Sequence, residues 1–233
     1  MGVIIPTVNT VAEPEFNAMR PHHLSVHFTR MPIHFHPEKD GFKEFMDDLK
    51  IRLNELNQFS ADIVAYNCTV GSMACPADML IDKLESVTGA PGVATASSVI
   101  NALKVLKADS ISLATPYSDD VNEHEKAFLE SNGVAVLKMA GMSFKTIEPE
   151  LGQMFAEVPE DVIYEHALSV DHPDAKAIFL SCANFPTANL PEHLENALGK
   201  PVITSNTAIF WAGLRKGGIN DPIKGFGSLL SIS

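Results

Sequence analysis

The stretch Asp62-Ile63-Val64-Ala65-Tyr66-Asn67-Cys68-Thr69-Val70-Gly71-Ser72 has a counterpart far along the chain, Ala177-Ile178-Phe179-Leu180-Ser181-Cys182-Ala183-Asn184-Phe185. In both, a short apolar, partly β-branched run ends in a polar residue and a cysteine, and small or polar residues follow. Such a run reads as a buried strand of a parallel sheet passing into a loop. In open α/β sheets, ligands bind at the loops that follow the carboxyl ends of strands. Each cysteine therefore stands where a reactive group is useful.

The flanking sequence repeats too. Leu198-Gly199-Lys200-Pro201-Val202-Ile203-Thr204-Ser205-Asn206 reads as a helix end, a tight turn and a strand, and Thr88-Gly89-Ala90-Pro91-Gly92-Val93-Ala94-Thr95-Ala96 reads the same way. Before each cysteine stretch comes a strand ending in Pro and polar residues: Val3-Ile4-Ile5-Pro6-Thr7-Val8-Asn9-Thr10 and Ile111-Ser112-Leu113-Ala114-Thr115-Pro116-Tyr117-Ser118. Three features in one order indicate an internal duplication at a period that means two half-domains rather than a solenoid. The fold class is α/β with mostly parallel sheets, in two pseudo-symmetric halves. Residues 1–108 with 211–233 are expected to form the half carrying Cys68, and residues 109–210 the half carrying Cys182. The two thiols would then face one cleft from opposite sides.

Between these strands the pattern is helical. Phe42, Phe45, Met46, Leu49, Leu53 and Leu56 fall at helical spacing, and further helices are expected over Pro76 to Val87, Ser97 to Leu106, Val121 to Asn132, Glu148 to Val158, Pro159 to His166 and beyond, Leu190 to Leu198, and Ala208 to Arg215. Leu24 to Arg30 reads as a strand. The histidines at 22, 23, 27, 34 and 36 lack the cysteine, histidine and carboxylate spacing of a zinc site, so no metal is expected. Cys75, beside Pro76, has no partner in the other half and reads as structural.

Composition narrows the function. The 233 residues are 45% hydrophobic, enough for a real core, and carry 17 basic against 29 acidic side chains for a net charge of -12. Charges of both signs are interspersed, which disfavours nucleic acid and anionic membrane surfaces as partners. No apolar run nears the roughly 18–20 residues that span a bilayer, and the first residues do not resemble a secretory signal. Three cysteines, an odd number, point to reduced thiols and a cytoplasmic protein. There is no phosphate-binding glycine motif, so no nucleotide cofactor is expected.

A thiol reacts as its thiolate, whose formation is favoured among hydrogen-bond donors. Thr69, Gly71 and Ser72 after Cys68, and Ala183 and Asn184 after Cys182, offer such donors. Backbone amides at helix starts also receive carboxylates without Lys or Arg. Two opposed thiols can invert a carbon acid, one removing and the other giving a proton. They can also isomerise an alkene by addition, rotation and elimination. A lone buried cysteine more often packs as a small hydrophobe, but a duplicated pair at strand ends points to function.

The two cysteine loops, the duplicated halves and Thr115-Pro116-Tyr117 resemble the aspartate/glutamate racemase superfamily, which includes hydantoin racemases and arylmalonate decarboxylases. Asn9-Thr10 followed by Glu13-Pro14-Glu15, Ser205-Asn206-Thr207 and Gly225-Phe226-Gly227-Ser228-Leu229-Leu230 resemble its maleate cis-trans isomerase branch. The resemblance spans nearly the whole chain. Arylmalonate decarboxylases keep only the second cysteine, whereas maleate isomerases keep both.

The resemblance implies cofactor-independent conversion of maleate, or a close dicarboxylate, to its trans form in a closed cleft between the halves of a homodimer subunit. It implies Cys68 as nucleophile, Cys182 as acid, and Asn9 and Tyr117 as donors to the substrate. Backbone amides of Thr69, Val70 and Gly71 would join them, with Ala183 and Asn184 lining the second loop. The alternatives are a two-cysteine racemase of an amino acid or hydantoin, a decarboxylase-like enzyme, a protein of ectoine utilisation, or a non-enzymatic binding protein for a small acid on the same fold. One departure bears on the substrate. Where the isomerases carry an asparagine, the nearest residues are Ile147-Glu148-Pro149, and a glutamate there repels a second carboxylate unless it points away.

Overall fold

In a computed structural model the chain is described over residues 1–34, 36–142 and 154–232. Its strands make two four-stranded parallel sheets. In the first, β1 (Gly2–Pro6) lies between β2 (His27–Met31) and β3 (Val64–Tyr66), with β4 (Gly92–Ala94) outside β3. In the second, β5 (Ser110–Thr115) lies between β6 (Ala135–Gly141) and β7 (Ala177–Leu180), with β8 (Val202–Thr204) outside β7. The helices are α1 (Ala12–Met19), α2 (Lys43–Asn57), α3 (Thr69–Ala74), α4 (Ala77–Thr88), α5 (Thr95–Val105), α6 (Asp119–Ser131), α7 (Glu160–Ser169), α8 (Leu190–Leu198) and α9 (Ser205–Lys216). No helix among the described residues is long and apolar enough to cross a membrane.

The inner strands are largely apolar because both faces of each sheet are covered there, whereas the edge strands β2 and β6 are partly exposed and carry His27, Thr29, Arg30 and Lys138. Period-two alternation sends Val3, Ile5, Ala65 and Val93 to a central core, which they share with Ile111, Leu113, Phe179 and Ile203 of the second sheet and with Phe16, Leu103, Ile209 and Phe210. The intervening residues face outward. Ile4, Val64 and Tyr66 pack under α2 and α4 with Phe45, Leu49, Leu53, Leu80 and Leu84. Ala114, Ile178, Leu180 and Val202 pack with Ile163, Ala167 and Leu194 of α7 and α8. One shared core between the sheets holds the halves together.

The duplication reaches individual hydrogen bonds. Ile4 pairs with Tyr66 and Tyr66 with Ala94, as Ala114 pairs with Leu180 and Leu180 with Thr204. Gly89 and Gly199, 110 residues apart, both end a helix in the left-handed conformation, at φ 71° and 67°, where a side chain is strained. Glu85 and Glu195, also 110 apart, each accept the backbone N–H that opens the next strand, of Gly92 and Val202, at 3.0 Å.

The second strand differs from expectation at its start. Leu24 N–H bonds back to the Pro21 carbonyl in a turn, and the strand itself begins at His27, whose N–H meets the Met1 carbonyl. The expected helix from Glu148 falls largely on residues outside those described.

Two buried carboxylates belong to the repeat as well. Glu15 and Glu125, again 110 residues apart, are each raised by burial to about 7. Glu15 is well satisfied: Oε1 accepts from Thr187 N at 2.7 Å and Ala188 N at 2.8 Å, and Oε2 from Asn206 Nδ2 at 2.6 Å. Glu125 Oε1 accepts from Ser181 Oγ at 2.6 Å, but Oε2 has no hydrogen-bond partner among the described residues. At the position repeating Asn206 the first half has Ala96, which has no side-chain donor.

A carboxyl whose folded pKa lies above its ordinary 4.5 holds its proton in the native state where the unfolded chain has lost it. Its contribution to stability is therefore full at low pH and is lost as pH rises through about 7. Glu125→Gln, which keeps an acceptor for Ser181 but does not ionise, should change stability little near pH 5 and raise it near pH 8, on the order of 2 kcal/mol. Urea unfolding at the two pH values checks this, and an equal change at both would show that Glu125 does not titrate in this range.

Candidate active site

Cys68 follows β3 by two residues and caps α3. Its backbone is extended (φ -142°, ψ 113°), and its carbonyl accepts Ser72 N–H at 2.9 Å to close the first turn. The sequence suggested an open loop as far as Pro76. Instead Thr69–Ala74 forms a short helix, which Cys75 ends in extended conformation because the following Pro76 disfavours a helical one. Cys68 is half-buried. Burial raises its thiol above the ordinary range, against the pull of the Gly71 N–H and the Tyr66 hydroxyl, both hydrogen-bonded to the sulfur.

Cys182 sits beyond β7 in a different backbone state. Its φ is 109°, in the region that favours glycine, so the residue is strained and held by its surroundings. Its N–H donates to Ser205 Oγ at 3.0 Å, and its carbonyl accepts Phe185 N–H at 3.3 Å. The Tyr117 hydroxyl is hydrogen-bonded to its sulfur, and Asn184 N–H donates to the same atom at 3.4 Å. Burial nevertheless pushes this thiol up to about 12. At neutral pH Cys182 is a protonated acid, and its thiolate, once formed, is a strong base.

The two loops are tied by a buried polar seam at the carboxyl ends of both sheets. Ser205 Oγ accepts from Thr69 Oγ1 at 2.9 Å as well as from Cys182 N, so one hydroxyl joins both cysteine loops. Asn206 Oδ1 accepts Asn67 Nδ2 at 2.8 Å, while Asn206 Nδ2 donates to Glu15 and, at 3.1 Å, to the Ala183 carbonyl. Asn9 Nδ2 donates to that same carbonyl at 3.0 Å, and Asn184 Oδ1 accepts Thr10 N–H at 3.0 Å. Cys68 bears on the charge of both Cys182 and Tyr117.

Eight of the nine residues singled out from the sequence lie along this seam or the two loops it joins, and the ninth, Tyr117, reaches the Cys182 sulfur from the loop after β5. Asn9 is buried, its Oδ1 accepting Val11 and Ala12 N–H to start α1. Thr69 is tied to Ser205, Gly71 lies against the Cys68 sulfur, and Val70 packs into the core of the opposite half with Tyr117 and Cys182. Ala183 and Asn184 hold the second loop to the first half. Ile147, Glu148 and Pro149 lie outside the described residues.

Sequence reasoning missed Tyr66, Asn67, Glu15, Glu125 and Ser181 as parts of the site. Only Tyr66 carried a usable signal, since a side chain two residues before Cys68 on a strand points to the same face. Of the expected non-participants, Cys75 is buried in the outer core, where burial raises it to about 11. The amino-terminal histidines have other neighbours, His34 Nε2 meeting Asp48 at 3.0 Å and His23 Nε2 meeting Asp221 at 3.8 Å.

Comparison with known proteins agrees with this fold. A maleate isomerase of Geobacillus stearothermophilus is 25% identical, covering 99% of this chain and 96% of that protein. The solved maleate isomerase Iso of Pseudomonas putida S16, an alanine variant of one cysteine with maleate, superposes with a TM-score of 0.86 at 23% identity, covering 100% and 97% of the two chains. A cysteine-to-serine variant of the Nocardia farcinica maleate cis-trans isomerase, with a covalently bound succinylcysteine intermediate, superposes with a TM-score of 0.87 at 22% identity, covering 99% and 97%. The family model described as arylmalonate decarboxylase matches residues 1–230, so two strand-end loops, facing each other across a duplicated α/β frame, are those of a member of the arylmalonate decarboxylase family.

Proposed function

We propose that this protein is a cofactor-independent cis-trans isomerase acting on maleate or a close dicarboxylate. The observation that carries the reading is the pair of thiols on one seam, each with its own phenol and backbone N–H. A decarboxylase needs one such thiol to protonate its product. An isomerase of this kind uses two, one to add and one to manage the proton. The succinylcysteine found in the Nocardia relative is the species that maleate forms when a cysteine adds to it and the neighbouring carbon is protonated.

In the proposed reaction the Cys68 thiolate bonds to one olefinic carbon, and the π pair moves onto the neighbouring carbon and its carboxylate. The Cys182 S–H gives that carbon its proton. With the double bond gone, the remaining single bond rotates. The Cys182 thiolate then takes a proton back, the trans double bond forms, and the C–S pair returns to Cys68. The Tyr117 hydroxyl donates to the Cys182 sulfur while it is charged. Asn9 and the amides of Thr69, Val70 and Ala183 are read as donors to the carboxylates, with Gly71 and Asn184, whose N–H groups serve the two sulfurs, beside them.

The same reading takes residues 1–108 with 211–233 and residues 109–210 as the two halves, and carries a cytoplasmic homodimer with it. The packing of α9 back onto α5 and β4 supports the division.

Proton NMR of the reduced protein with maleate should show the fumarate signal growing in, and Cys68→Ser should lower its rate by about a thousandfold or more. Exchange of the α-proton of a chiral amino acid or hydantoin, with maleate untouched, would replace this reading with a racemase.

Cys182→Ser should retain addition but slow proton transfer to and from carbon. Incubated with maleate, it should accumulate protein heavier by one maleic acid molecule on Cys68, read by intact and peptide mass spectrometry. A modified Cys75 with Cys68 untouched would remove Cys68 from the nucleophile's place.

A further inference from the structure

We propose that Tyr66 is the positioning residue of the nucleophile, holding the Cys68 sulfur with its hydroxyl and favouring the thiolate, an inference that rests on the isomerase reading. Tyr66 is the last residue of β3, and its ring belongs to the outer core, edge-on to Phe45 with centroids 5.5 Å apart at 84°. The ring is thereby fixed, and the strand's alternation brings its hydroxyl to the side chain two residues on. A Cβ built on Gly71 would lie 2.6 Å from the Tyr66 hydroxyl oxygen and 3.0 Å from the Cys68 sulfur. Both atoms therefore gather under a residue without a side chain. Gly71 leaves room for the phenol, the sulfur and its own N–H to meet.

The arrangement is not inherited from the duplication. Leu180 stands at the position repeating Tyr66, and Thr7 at the position repeating Tyr117. The chain thus gives each thiol a phenol from a different place: Tyr66 from the strand leading to its own cysteine, Tyr117 from the loop after the neighbouring strand. A core tyrosine needed only for its ring could be phenylalanine, and its buried hydroxyl requires a partner. The sulfur is that partner. The other ionisable groups bearing on Cys68 among the described residues are Cys182 and Tyr117 across the cleft, with Cys75 beyond Tyr66.

A phenol donating to a thiolate stabilises the charged form, whereas phenylalanine leaves the sulfur with the Gly71 N–H alone. Tyr66→Phe should therefore move the pH midpoint of Cys68 alkylation by iodoacetamide, followed by peptide mass spectrometry, upward by about one pH unit. The Cys182 midpoint should stay in place. Maleate turnover near neutral pH should fall roughly tenfold through kcat, with KM within about twofold, and recover at higher pH. Gly71→Ala, which leaves the ring in the core but pushes the hydroxyl from the sulfur, should shift the same midpoint in the same direction. An unmoved Cys68 midpoint in these folded variants overturns the proposal, whatever maleate does. A shifted midpoint in a protein that leaves maleate untouched upholds the role of Tyr66 and removes the isomerase reading instead.

Discussion

The Ser205 hydroxyl is the contact on which the rest of the site depends. It is the first residue of α9, where β8 ends, and it joins the N–H of Cys182 to the hydroxyl of Thr69 across the line between the halves. The capping box of Thr204 and Thr207 fixes that helix start from both sides, with Thr207 N–H donating to Thr204 Oγ1 at 3.0 Å and Thr204 N–H to Thr207 Oγ1 at 2.9 Å. A rigid helix terminus in a shared apolar core thus sets the relation of the two cysteine loops. Hydrogen bonds of this kind contribute little net stability each, about 1 kcal/mol, but leaving one partner buried and unpaired costs more. The seam therefore selects one arrangement of the halves more than it deepens the fold.

Within that arrangement the two thiols differ by burial and backbone, not by their donor sets. Each sulfur meets a phenol and a backbone N–H. Cys68 caps a helix in relaxed extended geometry and is half-buried, whereas Cys182 is buried in strained backbone. Desolvation acts against the charged form, so the deeper thiol keeps its proton. In the proposed reaction, the division into nucleophile and acid follows from where the loops sit in the core.

The duplicated ancestry shows how such asymmetry arises. Glycine caps, strand registers and the Glu85 and Glu195 brackets are kept in both halves because each closes a backbone hydrogen bond that any α/β unit must satisfy. The buried glutamates are also kept, yet only Glu15 has Asn206 to meet, while one Glu125 oxygen has no partner among the described residues and the position repeating Asn206 is Ala96. Conformational duties are shared across the halves. Chemical duties are not.

Much was legible in the order of residues. Short β-branched runs ending in Cys68 and Cys182, helix-period apolar spacing and paired Gly-Pro turns dictate parallel α/β halves, because periodicity and turn chemistry are local properties of the chain. The same local reading failed after Cys68, where a six-residue stretch folded into a helix against the other half, and at Leu24, where pairing with β1 set the true start of the strand. Tyr66 stood only as part of the apolar run before Cys68. That its hydroxyl meets Cys68, that Asn206 reaches Glu15 191 positions away, and that Cys182 is driven to hold its proton were decided only by the tertiary structure. Hydrogen bonding and desolvation depend on distances between segments remote in sequence, and only the packed sheets fix those distances.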